Sequence, residues 1–242
     1  MAASIRVGVG DYVFTDTAST NTPSTTVQTS IAANDVLVLC VANSGTNTIS
    51  GWPSGFTEIT PASTESIFGS TMQVATKVAT GLESGSFALT TTGFDTWKIL
   101  SFTVTGVSTT LAASKNNGAN GSFGTTVPLT GGSVATGASG NFVVFVGTGE
   151  IGGGNTVSAY TQPSGFASRA THIDAGGNIG TLLADFTEPS AGSVSYSGSL
   201  TSGTGSPTAG HTSTLVFTPT GGGGGSATYQ PMQYQRKTLY FI

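Results

Sequence analysis

The sequence predicts an all-β fold: two tandem β-sandwich, jelly-roll-like domains followed by an extended C-terminal tail. Three observations predict it. Ser and Thr make up about 30% of the 242 residues, 36 more are Gly, and only 7% are charged, against about 25% in an ordinary domain. Such a chain has poor helix formers and no charged helix faces. Short alternating segments recur between turn residues at roughly 8–12-residue spacing, the rhythm of a sandwich. Third, the chain repeats itself over about 110 residues, the size of one domain.

Five matches in the same order carry the repeat. Thr25-Thr26-Val27 corresponds to Thr125-Thr126-Val127. The apolar run Val36-Leu37-Val38-Leu39-Cys40-Val41 corresponds to Phe142-Val143-Val144-Phe145-Val146. Pro53-Ser54-Gly55-Phe56 recurs as Pro163-Ser164-Gly165-Phe166. Ser84-Gly85-Ser86-Phe87 matches Ala191-Gly192-Ser193-Val194, and Ser101-Phe102-Thr103-Val104-Thr105-Gly106 matches Val216-Phe217-Thr218-Pro219-Thr220-Gly221. The expected units are therefore residues 1–108 and 109–221, with residues 222–242 as a glycine hinge and tail.

Within a unit, the runs at Val36 and Phe142 are apolar at every position and read as central strands buried on both faces. Residues 71–78 alternate through Met72 and Val74, residues 86–90 through Phe87 and Leu89, and residues 99–107 through Leu100, Phe102 and Val104. Turns are expected at Ala33-Asn34-Asp35, Asn43-Ser44-Gly45, Pro53-Ser54-Gly55, Gly81 and Gly93. Lys115-Asn116-Asn117-Gly118-Ala119-Asn120-Gly121 reads as a linker or the long first loop of unit two. A jelly roll is preferred to an immunoglobulin-like winding, which stays open. The Cys, Trp, Cys framework is missing, but many immunoglobulin-like domains lack it too.

Composition excludes several functions. Seven basic residues and a net charge of −4 build no phosphate-binding footprint, so nucleic acid is not an expected partner. Cys40 is the only cysteine and permits neither an intrachain disulfide nor a thiolate zinc site. Inside a central strand it should be an inert filler. The longest apolar run, Val36 to Ala42, is far short of the roughly 18 residues of a membrane helix. Met1-Ala2-Ala3-Ser4-Ile5-Arg6 has neither a basic nor an apolar leader region, so no Sec-type signal is expected.

Catalytic groups are scarce. His172 and Asp174 would share a strand face, but no Gly-x-Ser-x-Gly elbow accompanies them, and His172 reads as a plain loop or surface residue. His211 is the other histidine. Glu58, Glu65, Glu83, Glu150 and Glu188 are conceivable acids, and none is singled out. Glu83 and Glu188 precede equivalent strands and read as turn residues. Val7-Gly8-Val9-Gly10, Gly152-Gly153-Gly154 and Asp174-Ala175-Gly176-Gly177-Asn178 lack the companions of phosphate or calcium loops and read as turns. No catalytic residue, metal or cofactor is expected. Trp52 and Trp97 are the two residues able to stack on sugar. Neither is duplicated, and packing is the better reading of both.

The stretch Met72-Gln73-Val74-Ala75-Thr76-Lys77-Val78-Ala79-Thr80-Gly81-Leu82-Glu83-Ser84-Gly85-Ser86-Phe87 is framed by Gly51-Trp52-Pro53-Ser54-Gly55-Phe56-Thr57 and Phe102-Thr103-Val104-Thr105-Gly106-Val107. It resembles the β-sandwich units of structural proteins of tailed bacteriophages. Unit two keeps the order but has Leu182-Leu183-Ala184-Asp185-Phe186-Thr187 in place of the Lys-Val-Ala-Thr-Gly core. The resemblance implies a non-enzymatic virion component (tail fibre, collar or neck appendage, or capsid decoration), made in the host cytoplasm and displayed on the particle. Its implied partners are other copies of itself, with a trimer favoured, and other virion proteins. The alternative is a carbohydrate-binding adhesin module for host-surface glycan. A depolymerase is the weakest reading, because no long β-helical repeat or carboxylate pair accompanies it.

The tail sharpens this reading. After five glycines, residues 226–242 carry Tyr229, Met232, Tyr234, Leu239, Tyr240, Phe241 and Ile242, an apolar set too costly to leave in water. A pentaglycine tether costs closure entropy if the tail belongs to its own unit. The expectation is that it docks on a neighbouring subunit or another virion protein, with residues 238–242 adding as an edge strand. Arg236 and Lys237 would stay solvated or meet acidic groups at the rim.

Overall fold

The computed structural model describes residues 2–6, 12–43, 45–59, 63–65, 70–120, 125–137, 139–151, 157–173, 179–188, 190–202 and 207–220. Among them every regular element is a strand. The first half holds β1 (Ser4–Ile5), β2 (Tyr12–Thr20), β3 (Ser24–Thr26), β4 (Val36–Asn43), β5 (Ile49–Gly51), β6 (Thr57–Glu58), β7 (Ser63–Glu65), β8 (Ser70–Val78), β9 (Ser86–Ala88), β10 (Thr90–Thr91) and β11 (Asp95–Thr105). The second holds β12 (Val107–Asn120), β13 (Thr126–Thr130), β14 (Val134–Ala135), β15 (Phe142–Ile151), β16 (Val157–Thr161), β17 (Ala167–Ile173), β18 (Ile179–Thr187), β19 (Ser193–Val194), β20 (Ser197–Ser202) and β21 (Pro207–Pro219).

The apolar runs become the central strands. All eight residues of β4 are buried, and the strand pairs with β11 on one side and β8 on the other. In β15, residues 142–149 are buried between β21 and β18. Apolar residues at both parities suit a strand covered on both faces.

The larger sheet of the first half has the order β1-β11-β4-β8-β6, with β2 continuing beside β11 and β7 beside β8. That of the second half is β12-β21-β15-β18-β17. Smaller ladders cover the outer faces: β3 with β9 and β10 with β5 in the first half, β13-β20-β16 and β14 with β19 in the second. Taking β1 with β2, β6 with β7, β9 with β10, β13 with β14 and β19 with β20 as single segments, both halves wind alike. The larger sheet runs first, eighth, third, sixth, fifth segment, and the smaller second, seventh, fourth. This is jelly-roll-like winding with the fifth segment on the larger sheet.

The repeated turns match in detail. The amide of Phe56 donates to the Pro53 carbonyl (3.0 Å) and that of Phe166 to Pro163 (3.1 Å). The third residues, Gly55 and Gly165, have φ of +83° and +84°, which favours glycine at that position.

Two expectations need correction. The segment from Lys115 is not a linker. Lys115 to Asn120 continue β12 and pair with β21, from Lys115 opposite Thr214 to Asn120 opposite Ala209. Its Asn, Gly and Ala carry no strand pattern of their own, and the ladder is supplied by β21. The register of the closing strands also shifts by two. Val36 pairs with Val104 and Phe142 with Phe217, so Val104, not Phe102, is level with Phe217. The counterpart of Trp97 is then Gly210, and that of Lys98 is His211.

Three apolar clusters result. Leu37, Leu39, Val41, Phe87, Trp97 and Ile99 lie among the residues under the small ladders of the first half. Val127, Val143, Phe145, Leu182, Leu200 and Val216 do the same in the second. The third cluster belongs to both halves: Val38, Cys40, Phe102 and Val104 pack with Phe142, Val144, Leu215 and Phe217. The two larger sheets therefore stack face to face. β17 lies over β2, and β12 over β7. The first segment of each half thus covers the fifth segment of the other, an approximate two-fold arrangement of like faces.

Candidate functional site

The polar side chains with chemical potential gather at one end of this seam. In the second half, His172 pairs with Thr181, Thr181 with Thr148, and Thr148 with His211. Residues opposite one another in a ladder share a face, so the four form a row turned toward the first half. The facing row is Asp16, Lys98, Ala42 and Met72.

The rows engage at two places. The imidazole of His172 stacks on Phe14, with centroids 4.7 Å apart and planes 13° from parallel. Its Nε2 donates to Asp16 Oδ2 at 3.2 Å, while Lys98 Nζ stands 3.6 Å from Asp16 Oδ1. On the other side, Ser70 Oγ and His211 Nε2 share a hydrogen bond of 2.8 Å. Between these contacts lies a cavity of about 10 Å³ bordered by Cys40, Met72 and Thr148, room for about one water.

A serine beside an imidazole is the first requirement of nucleophilic catalysis, and sequence reasoning missed this pair, whose members lie 141 positions apart. Ser70 and His211 are each only 2% exposed. Burial lowers the pKa of His211 from 6.5 to about 4, so the ring is neutral at pH 7. The arrangement is a buried polar clasp between the halves. His172 does find a carboxylate, but it is Asp16 of the first half; Asp174 lies outside the described residues.

The remaining titratable groups hold local structure. Partial burial would raise the pKa of Glu83, but hydrogen bonds outweigh it and lower the value from 4.5 to about 2. Their donors are the Thr80 amide and hydroxyl, the Glu83 amide and Lys77. Glu188 is buried and accepts the hydroxyl of Tyr196. Burial, followed by this carboxylate, pushes the Tyr196 phenol up. Arg169 grips the buried Asp185 with two bonds, Nε to Oδ2 at 2.5 Å and Nη2 to Oδ1 at 2.7 Å. That bidentate pair, with its bulge between Ser168 and Ala170, had no signal in the sequence. Cys40 is buried, and desolvation raises its thiol far above the ordinary value. Among the described residues no group of three His, Cys, Asp or Glu is placed to hold a metal ion, and no helix is long and apolar enough to cross a membrane.

The two tryptophans separate. Trp97 is 1% exposed, and its indole N–H donates to the Thr20 carbonyl at 2.9 Å. It fills the outer core of the first half, with no ring face left for a sugar. Trp52 is half-buried against the same cluster, and its Nε1 donates to Glu58 Oε2 at 3.4 Å. The tail residues Tyr229, Met232, Tyr234, Leu239, Tyr240, Phe241 and Ile242 lie outside the described residues, as do residues 7–10, 152–154 and 174–178. No family model, curated protein or solved structure matches this chain.

Proposed function

We propose that the chain is a non-enzymatic structural component of a bacteriophage virion surface, assembling with copies of itself and with other virion proteins through residues 222–242. The observation that supports this reading is the seam. Of the groups best suited to chemistry, His172 with Asp16 and Ser70 with His211 are occupied in joining the two halves, and Lys98 stands beside Asp16. The burial of Lys98, Ser70 and His211 favours rigidity over turnover, as a scaffold requires. Fibre, collar appendage and capsid decoration are all served by such a body.

Deleting residues 222–242 tests the proposal, with thermal melting and incorporation into particles as the two readouts. The expected result is an unchanged melt and a chain that no longer enters particles. Normal incorporation of the truncated chain, or its unfolding, counts against the docking role. Release of sugar from host polysaccharide by the purified protein, lost in His211→Ala, would overturn the non-enzymatic reading.

A further inference from the structure

We propose that residues 45–48, before β5, and residues 92–95, leading into β11, form a binding site for a neutral glycan, with Phe94 as its stacking platform. The site goes beyond the scaffold role and stands independently of it. Phe94 occupies the tip of the turn into β11 and is 69% exposed. A lone exposed aromatic is unremarkable; its surroundings carry the argument.

Three loops meet around it. Asn47 Nδ2 donates to the Phe94 carbonyl at 3.2 Å and to Asp95 Oδ2 at 3.4 Å, and Thr92 Oγ1 donates to Asn47 Oδ1 at 3.4 Å. The Thr91 amide donates to the Asn21 carbonyl at 3.1 Å, bringing the exposed Asn21 and Thr22 alongside. Firmer bonds fix the base: Asn43 Nδ2 donates to Asp95 Oδ2 and the Thr96 amide to Asp95 Oδ1, at 2.9 and 2.8 Å. Two glycines let these side chains lie against backbone. A Cβ on Gly45 would fall 1.9 Å from Asp95 Oδ2, and one on Gly93 2.5 Å from Asn47 Oδ1.

This set matches the chemistry of a sugar. An aromatic face takes the C–H side of a pyranose. A planar amide offers two donors and an acceptor, and a carboxylate accepts from several hydroxyls. The Asn47 side-chain contacts of 3.2–3.4 Å are long, and those to Phe94 and Thr92 are exposed, so ligand hydroxyls can replace them at small cost. Residues 20–23, 45–48 and 92–95 include no Lys or Arg, leaving sialylated, sulfated or phosphorylated ligands without a counter-charge. A single ring gives too little apolar area for a greasy ligand or a protein hot spot. Loops at one end of a sandwich are the usual place for such recognition.

The full chain is applied to a printed array of neutral hexose and N-acetylhexosamine oligosaccharides, with sialylated and sulfated glycans alongside, and hits are titrated by saturation-transfer NMR. Neutral glycans are expected to bind. Phe94→Ala and Asn47→Ala should each weaken binding about tenfold or more with unchanged melting, while Phe94→Tyr keeps it and Trp52→Ala leaves it intact. Binding that survives Phe94→Ala, binding restricted to acidic glycans, or no binding at all would overturn the proposal. None of these results bears on particle incorporation, so the structural role succeeds or fails separately.

Discussion

His211 shows how one side chain makes a whole molecule sensitive to acid. It is buried and neutral beside Ser70, with its pKa lowered from 6.5 to about 4. Between those values the unfolded chain binds a proton that the folded chain refuses. This contribution to stability is therefore full above pH 6.5 and is lost as the pH falls through 4. A shift of this size corresponds to about 3 kcal/mol. Urea unfolding at pH 7.5, 5.5 and 4 should show His211→Gln losing less stability on acidification than the parent chain by about that amount. Equal losses in the two proteins would show that the ring does not carry the effect. None of this was legible from sequence, where His211 is a histidine in a threonine-rich stretch. The carboxylate that meets His172 was not legible either. A strand brings Asp16 to it from 156 residues upstream.

At the scale of elements, legibility followed pattern. β4 and β15 were readable because apolar residues at both parities leave a strand no exposed face. The Pro-Ser-Gly-Phe turns were readable because φ above zero at the third position calls for glycine. β12 was not, since Lys115, Asn116, Asn117 and Gly118 carry no alternation and are strand only because β21 pairs with them. β11 was read as half-buried, yet Ser101 and Thr103 are also fully covered, because small ladders lie over the face they occupy. The turns yield a graded prediction. Alanine at either glycine adopts a left-handed backbone at a cost of about 1–2 kcal/mol. At Gly55 the new Cβ would stand 3.2 Å from Lys77 Cε, a movable side-chain end, whereas at Gly165 it would stand 3.1 Å from the Phe186 ring. Gly165→Ala is therefore expected to lower the melting temperature more than Gly55→Ala. Equal shifts would mean that backbone strain alone decides.

For the whole molecule, the seam means that the halves should not unfold separately. Phe217 is fully buried in the shared cluster, and truncating such a phenylalanine costs about 3–5 kcal/mol. Both tryptophans lie in the first half, so their fluorescence reports on the half that Phe217 does not belong to. Phe217→Ala should shift the tryptophan transition to lower denaturant along with the circular dichroism signal. A tryptophan transition that stays in place would show two independent domains. The repeat made two sandwiches legible, but alternation through Leu100, Phe102 and Val104 tells only that one face is covered. It does not tell that the cover is the other copy.

The approximate two-fold of that seam has a consequence for how the chain can change. Two separate identical subunits would make every substitution on the contact face appear twice, and their association would weaken on dilution. Here one glycine, Gly106, joins β11 to β12, so the faces remain together at any concentration and each can vary alone. Lys98 and His211 occupy the same station in the two sheets; one reaches toward Asp16 and the other toward Ser70. A symmetric pair could not hold two different answers at one position; a tethered one can.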